Sequence, residues 1–237
     1  MTSLANNRVL VIGGSSGIGL AVAESAIAAD AFVTIASRSR PKLDEALKAL
    51  GPKAQSAVLD TADENALEAF FSANDPFDHI VVSAAQTPTG PVRKLALADA
   101  QHAMESKFWG AYRVARFARL SERGSLTLIS GFLSERPSAM SVLQGAINAA
   151  LEGLARGLAL ELSPVRVNTV SPGLIDTPLW SKMDKDAKQA MFEKVAANLP
   201  AKTVGQPADI ANAVLFLMAT PFATGSNVRV DGGGAIA

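Results

Sequence analysis

The chain has no cysteine, which excludes disulfides, thiolate metal sites and a cysteine nucleophile. It has no surplus of charge either, since 22 Lys and Arg balance 22 Asp and Glu. Phosphate backbones and anionic surfaces are bound through a basic excess, so neither nucleic acid nor a membrane is an expected partner. Charged residues interrupt the apolar ones before any run reaches the roughly 18 residues needed to span a bilayer. Histidine is scarce: His79 and His102 lie far apart, with no carboxylate motif beside either, and no metal site is expected. No linker rich in Pro, Gly or Ser and no repeat divides the 237 residues, a length that one core can bury, so 1–237 reads as one domain. Met1 to Asn7 is short and polar and leads straight into a strand pattern. No signal peptide is therefore expected, and a cytoplasmic protein fits best.

What is present is an alternation of short apolar runs with helical stretches, the mark of an α/β, doubly wound parallel sheet with helices on both faces. Seven strands are expected: Arg8 to Ile12, Ala31 to Ala36, Ala54 to Leu59, His79 to Ser83, Ser125 to Ser130, Arg166 to Val170 and Asn227 to Val230. Helices are expected over Gly17 to Ala29, Lys42 to Leu50, Glu64 to Ser72, Leu97 to Leu120, Ser141 to Leu162 and Ala208 to Ala219. Between the sixth strand and the last helix, Leu174 to Asn198 mixes polar and apolar residues, and its length suggests a mobile lid over a substrate. Trp180, Met183 and Met191 would line it, pointing to an apolar substrate, and Asp176 would stabilise its turn or touch a ligand.

In the long helix expected from Leu97 to Leu120, residues Leu97, Gln101, Met104, Phe108, Ala111, Ala115 and Ala118 repeat at helical spacing, as do Leu143, Ile147, Leu151, Leu154, Leu158 and Leu162 in the one from Ser141 to Leu162. Both stripes read as core packing. The small residues Ala111, Ala115, Ala149, Ala150 and Gly153 would also allow close helix approach between subunits.

After the first strand, Gly13-Gly14-Ser15-Ser16-Gly17-Ile18-Gly19 runs directly into a helix. Glycines let backbone approach a pyrophosphate, and the free N–H groups and positive dipole end of the helix attract its charge. About 20 residues further on, a carboxylate normally accepts the ribose hydroxyls of NAD. Here Ser37-Arg38 follows the second strand instead. A guanidinium pairs with the 2′-phosphate that a carboxylate would repel, so NADP(H) is expected in preference to NAD(H).

With these residues in view, nearly the whole chain resembles the short-chain dehydrogenase/reductase family. The glycine segment is similar to that family's TGxxxGIG motif, with Gly13 in place of the threonine. Asp60, beside Thr61, resembles its adenine-contacting aspartate. Ser83-Ala84-Ala85 stands where the family has NNAG, without the asparagines. Arg166-Val167-Asn168, then Pro172-Gly173, Ile175 and Thr177, resemble segments that border the nicotinamide. Gly205 to Ala211 and Val230 to Gly233 look like the family's last helix and strand. The resemblance implies a Rossmann-like domain, bound NAD(P), hydride transfer to or from a small carbonyl or alcohol, and a homodimer or homotetramer built on the two long helices.

It also implies a tyrosine followed four residues later by a lysine, a serine after the fifth strand, and an asparagine in the preceding helix. Matching Asn148 to Glu152 with the family's KAALE-like run puts Gln144 at the tyrosine and Asn148 at the lysine, and neither side chain titrates. The chain's single tyrosine, Tyr112, lies elsewhere and reads as a packing aromatic. Strand-end placement favours Ser130 as the serine, while spacing favours Gly131; Ser134, Ser138 and Ser141 follow in the same loop. Lys107 occupies the asparagine position. The expectation is an exchange, in which Lys107 reaches Asn148 and restores a cation to the site, its pKa lowered if it is buried. The alternative is a cofactor-binding protein with little turnover, acting as a sensor or oligomer partner.

Overall fold

The computed structural model describes residues 4–237; Met1 to Ser3, the start of the polar lead-in, lie outside the described residues. The rest of that lead-in is not loose: Leu4 is buried, with its N–H on the carbonyl of Ala29.

Seven parallel strands form one sheet. They are β1 (Arg8–Ile12), β2 (Phe32–Ser37), β3 (Ala54–Val58), β4 (Phe77–Val82), β5 (Leu120–Ile129), β6 (Arg166–Pro172) and β7 (Asn227–Val230), in the order β3-β2-β1-β4-β5-β6-β7. Alternate side chains of β1 enter opposite cores, as the pleat requires. Val9 and Val11 pack with residues of α1 (Gly17–Ala28) and α8 (Pro207–Ala219), whereas Leu10 and Ile12 pack toward α3 (Glu64–Ala73), α5 (Gly110–Phe117) and α6 (Val142–Glu161). The remaining helices are α2 (Arg40–Leu50), α4 (Leu97–Met104) and α7 (Lys185–Asn198). Strand order reverses between β1's two neighbours, β2 and β4, which opens a crevice beyond their carboxyl ends.

Three sequence expectations change. The single helix from Leu97 to Leu120 is interrupted by a π-helical turn at Glu105–Trp109 and ends at Phe117. A wide turn takes more residues per revolution, so the buried face upstream moves to Ala103 and Lys107, while Leu97 and Gln101 are exposed. Second, Ala111 and Ala115 face this chain's own core and are not free to contact another subunit. Third, the stretch from Leu174 to Asn198 holds a regular helix, α7, capped by the Asp184 side chain on the N–H groups of Asp186 and Ala187. None of its residues is buried, so no apolar stripe announces it. Among the described residues no helix is long and apolar enough to cross a membrane.

Candidate functional site

The turn after β1 is shaped by contacts that only glycine permits. Gly13 and Gly17 have φ of +87° and +54°, a region that L side chains avoid. A Cβ on Gly13 would stand 2.6 Å from the backbone N of Ala84, and one on Gly19 would stand 2.2 Å from the carbonyl oxygen of Gly13. The turn is therefore pressed against both β4's end and its own helix. Above it opens a cleft of about 970 Å³.

Most of the expected cofactor residues border this cleft: Gly13, Ser15, Ser16, Gly17, Ile18, Ser37, Arg38, Asp60, Thr61, Ser83, Ala84, Ala85 and Thr177. Asp60 Oδ1 accepts the N–H of Ala62 and fixes its loop. Arg38 is exposed at the rim and makes no ion pair among the described residues. Lys42, in the first turn of α2, stands at the same rim; its spacing from Arg38 was the available signal for a second cation. Gln86, His102, Glu105, Ser106, Pro178 and Leu179 also border the cleft. They carry no motif that sequence reading could use.

Other expected residues lie elsewhere. Gly19 supports the turn from behind. Pro172 is buried at the end of β6, and Gly173 packs on Asp231. Ile175 is buried, bridges to Gly205 and accepts the indole N–H of Trp180. Arg166 and Asn168 do not border the cleft: Arg166 donates to the carbonyls of Leu217, Met218 and Ala223, and Asn168 holds Ala223 and Ser226. Arg166 clamps the last turn of α8 and the chain after it, and Asn168 that following chain alone, since both lie at the amino end of β6, away from the cleft. Asp176 pairs with Lys188 at 2.6 Å, tying the start of the 174–198 segment to α7. Trp180 packs edge-on against Phe192, while Met183 is exposed and Met191 half-buried.

Behind the cleft, between the π turn, β5 and α6, lies a buried polar cluster. The π turn directs Lys107 inward, where it is 9% exposed, beside Asn148 at 2%. Lys107 Nζ donates to Asn148 Oδ1 at 2.6 Å and to the carbonyl of Ser130 at 2.8 Å. Loss of water lowers the Lys107 pKa from 10.5 to about 8, against the opposing pull of the Glu152 charge. An ammonium only donates, so the Asn148 oxygen must face it. The Asn148 amide nitrogen is thereby left beside Gly131, 2.7 Å from where a Cβ on that residue would sit. A side chain at 131 would displace Asn148 from Lys107, which accounts for glycine there.

Ser130 does not offer its hydroxyl outward. It is 5% exposed and donates to Glu152 Oε1 at 3.0 Å and to the carbonyl of Val170 at 3.3 Å. Gln144, on the first turn of α6, donates to Thr87 Oγ1 at 3.3 Å. Tyr112 is 42% exposed and stacks edge-on with Trp109. Glu152 was missed by sequence reading. Its signal was a charge on the apolar face of α6, between Leu151 and Ala155.

Known proteins similar to this chain agree with the fold. The family model described as enoyl-(acyl carrier protein) reductase matches residues 12–234. The short-chain dehydrogenase/reductase ucsE of Acremonium sp is 32% identical over 257 residues, covering 99% of this chain and 97% of that protein. D-erythrulose reductase of Gallus gallus is 30% identical over 244 residues, covering 98% and 96%. Among solved structures, a small-chain dehydrogenase in complex with NADPH is 35% identical with a TM-score of 0.84, covering 98% of this chain and all of that one. The MalC reductase/Diels-Alderase from Malbranchea aurantiaca is 29% identical with a TM-score of 0.89, covering 99% and 98%.

Proposed function

The chain belongs to the short-chain dehydrogenase/reductase family, and from that premise we propose an NADP(H)-dependent oxidoreductase that reduces or oxidises a small carbonyl or alcohol substrate with a non-standard catalytic set. The observation that carries this reading is the cleft of about 970 Å³ over a glycine turn too tight for any side chain, with Arg38 and Lys42 at its rim. Backbone N–H groups at the start of α1, with Ser15, Ser16, Gly17 and Ile18, would hold the pyrophosphate. Asp60, Thr61 and Ala84 would hold the adenine end, and Arg38 with Lys42 would pair with a 2′-phosphate, favouring NADP(H) over NAD(H). When bound, the nicotinamide supplies or takes up the hydride. That relatives of similar length include a reductase and an NADPH complex supports the assignment.

Behind the cleft, not among the residues that border it, Gln144 and Asn148 would stand at the positions where the family carries tyrosine and lysine. We assign Lys107 the role of cation. Its bond to Asn148 Oδ1 polarises the amide, and the amide N–H beside Gly131 would donate to a substrate oxygen. Gln144 would help to orient the substrate. Ser130 serves by fixing the strand end, not by touching substrate. With a pKa of about 8, Lys107 is mostly protonated at neutral pH, so it can supply a proton below that value and ceases to above it. The segment at 174–198 would close over the substrate, and a homo-oligomer would use exposed faces of the two long helices.

The test is to titrate the protein with NADPH and NADH, then follow NADPH oxidation with a panel of carbonyls and quinones in wild type and Lys107→Met. Tight NADPH binding with turnover that falls about 10²- to 10⁴-fold in the variant is expected. The absence of a tyrosine at position 144 favours a second reading, a coenzyme-binding protein with little turnover. NADPH binding without oxidation of any substrate in wild type would establish it.

A further inference from the structure

Glu152 has no part in the reading above, yet it is built into the same cluster. It lies one helical turn beyond Asn148 on α6 and is 9% exposed. One of its oxygens, Oε1, accepts two hydroxyls, Ser130 at 3.0 Å and Ser134 at 2.7 Å. Ser134 ends the short 3₁₀ turn Phe132–Ser134 that follows Gly131. The carboxylate therefore spans the end of β5, the loop beyond it and the helix that carries Asn148.

A carboxylate this deep is costly unless an opposite charge answers it. The only buried lysine among the described residues, Lys107, is held one turn away through Asn148 and Ser130. The other charges near Lys107 are committed elsewhere: on its own turn, Glu105 pairs with Arg113 at 2.6 Å. From β5 the facing group is the neutral Ser130, and from α6 the facing charge is Glu152.

We propose that Glu152 is a positioning residue, the counter-charge that keeps Lys107 in its ammonium form against Asn148 and Ser130 while anchoring the Phe132–Ser134 turn. This rests on the reading of Lys107 as the cation of the site. Glu152 acts through Lys107 and need not touch substrate. Deleting it would make Lys107 a weaker holder of its proton, in line with the upward pull that the Glu152 charge exerts on that group.

The experiment uses Glu152→Gln, which retains an oxygen for both serines but removes the charge. Lysine labelled with ¹³C at Cε reports the titration of Lys107 directly, assigned by its loss in Lys107→Met. The Lys107 midpoint is expected to fall by about one pH unit or more in Glu152→Gln, which means about tenfold more neutral amine at a given pH. An unchanged midpoint overturns the proposal. Thermal midpoints of the two single variants and the double variant supply a second measurement. Glu152→Gln should destabilise the wild-type background but stabilise the Lys107→Met background, where Glu152 would otherwise be left unanswered. Equal effects in the two backgrounds mean that Glu152 only anchors the serines, and overturn the proposal as well. If the lysine signal moves while the pH profile of NADPH oxidation does not, Glu152 keeps its role and Lys107 is removed from the reaction.

Discussion

His79, at the start of the central part of β4, makes the chain's response to acid calculable. The ring is 4% exposed. Its Nε2 faces the amide nitrogen of Asn7 at 2.9 Å and its Nδ1 faces Ser125 Oγ at 2.8 Å. The amide N–H of Asn7 donates to Nε2, so the single ring proton sits on Nδ1 and is donated to Ser125. A second proton would have to enter between two nitrogens. Burial, reinforced by the positive charge of Arg166 and only partly offset by Asp78, lowers the pKa from 6.5 to about 4. A depressed value means that stability is fully present above pH 6.5 and is lost as the pH falls toward 4, because only the unfolded chain takes up the proton. The gap corresponds to about 3 kcal/mol in full, and about 2 kcal/mol by pH 5. Urea denaturation between pH 8 and pH 5 on wild type and His79→Gln measures this. The variant is expected to be less stable at pH 8 but to lose about 2 kcal/mol less on acidification. Parallel curves for the two proteins would refute the reasoning.

Three further outcomes are expected. Arg38→Glu should weaken NADPH binding by about tenfold or more while sparing NADH, because a carboxylate at the rim repels the additional phosphate; calorimetric titration with both coenzymes checks it. Gly19→Ala should cost about 1–3 kcal/mol and weaken NADPH binding, since the added carbon meets the Gly13 carbonyl at 2.2 Å; a variant with wild-type melting and binding would contradict the packing described. Arg166→Met should destabilise by about 3 kcal/mol by leaving buried carbonyls without a donor, yet leave NADPH affinity as it was, because Arg166 clamps the last turn of α8 and the chain beyond it; a matched loss of affinity would place it in the cleft after all.

The sheet was legible in the sequence because most of its central strands are short runs rich in β-branched residues, and β1 and β7 have the expected bounds, whereas β5 begins at Leu120, inside the expected helix, instead of at Ser125. The glycine turn beneath the cleft was legible because glycines are required wherever backbone must approach backbone, and that requirement leaves a sequence trace. The π turn left none: Glu105 to Trp109 has ordinary helical composition, and its widening is settled by what packs on it. Helix α7 was invisible for the opposite reason, being secured by its Asp184 cap and by Lys188 on Asp176 instead of an apolar face. Ser130 shows the limit of strand-end logic. Its position is as expected, but its hydroxyl answers a carboxylate 22 residues away that only the folded chain brings near.

The wide turn at Glu105–Trp109 also couples residue count to direction. Removing one residue there would let the segment relax into an ordinary α-helix with α4 still facing the same way, whereas narrowing the turn at the same residue count would swing everything upstream by about 100° about the axis. Lys107 would leave the interior, and the exposed side of α4 would be driven onto the core. The surplus residue that the wide turn absorbs thus sets which face α4 turns inward. Deletion scanning across it, compared with equivalent deletions in the loop at 86–96, would separate a helix that merely spans a gap from one that acts as a rotational gauge.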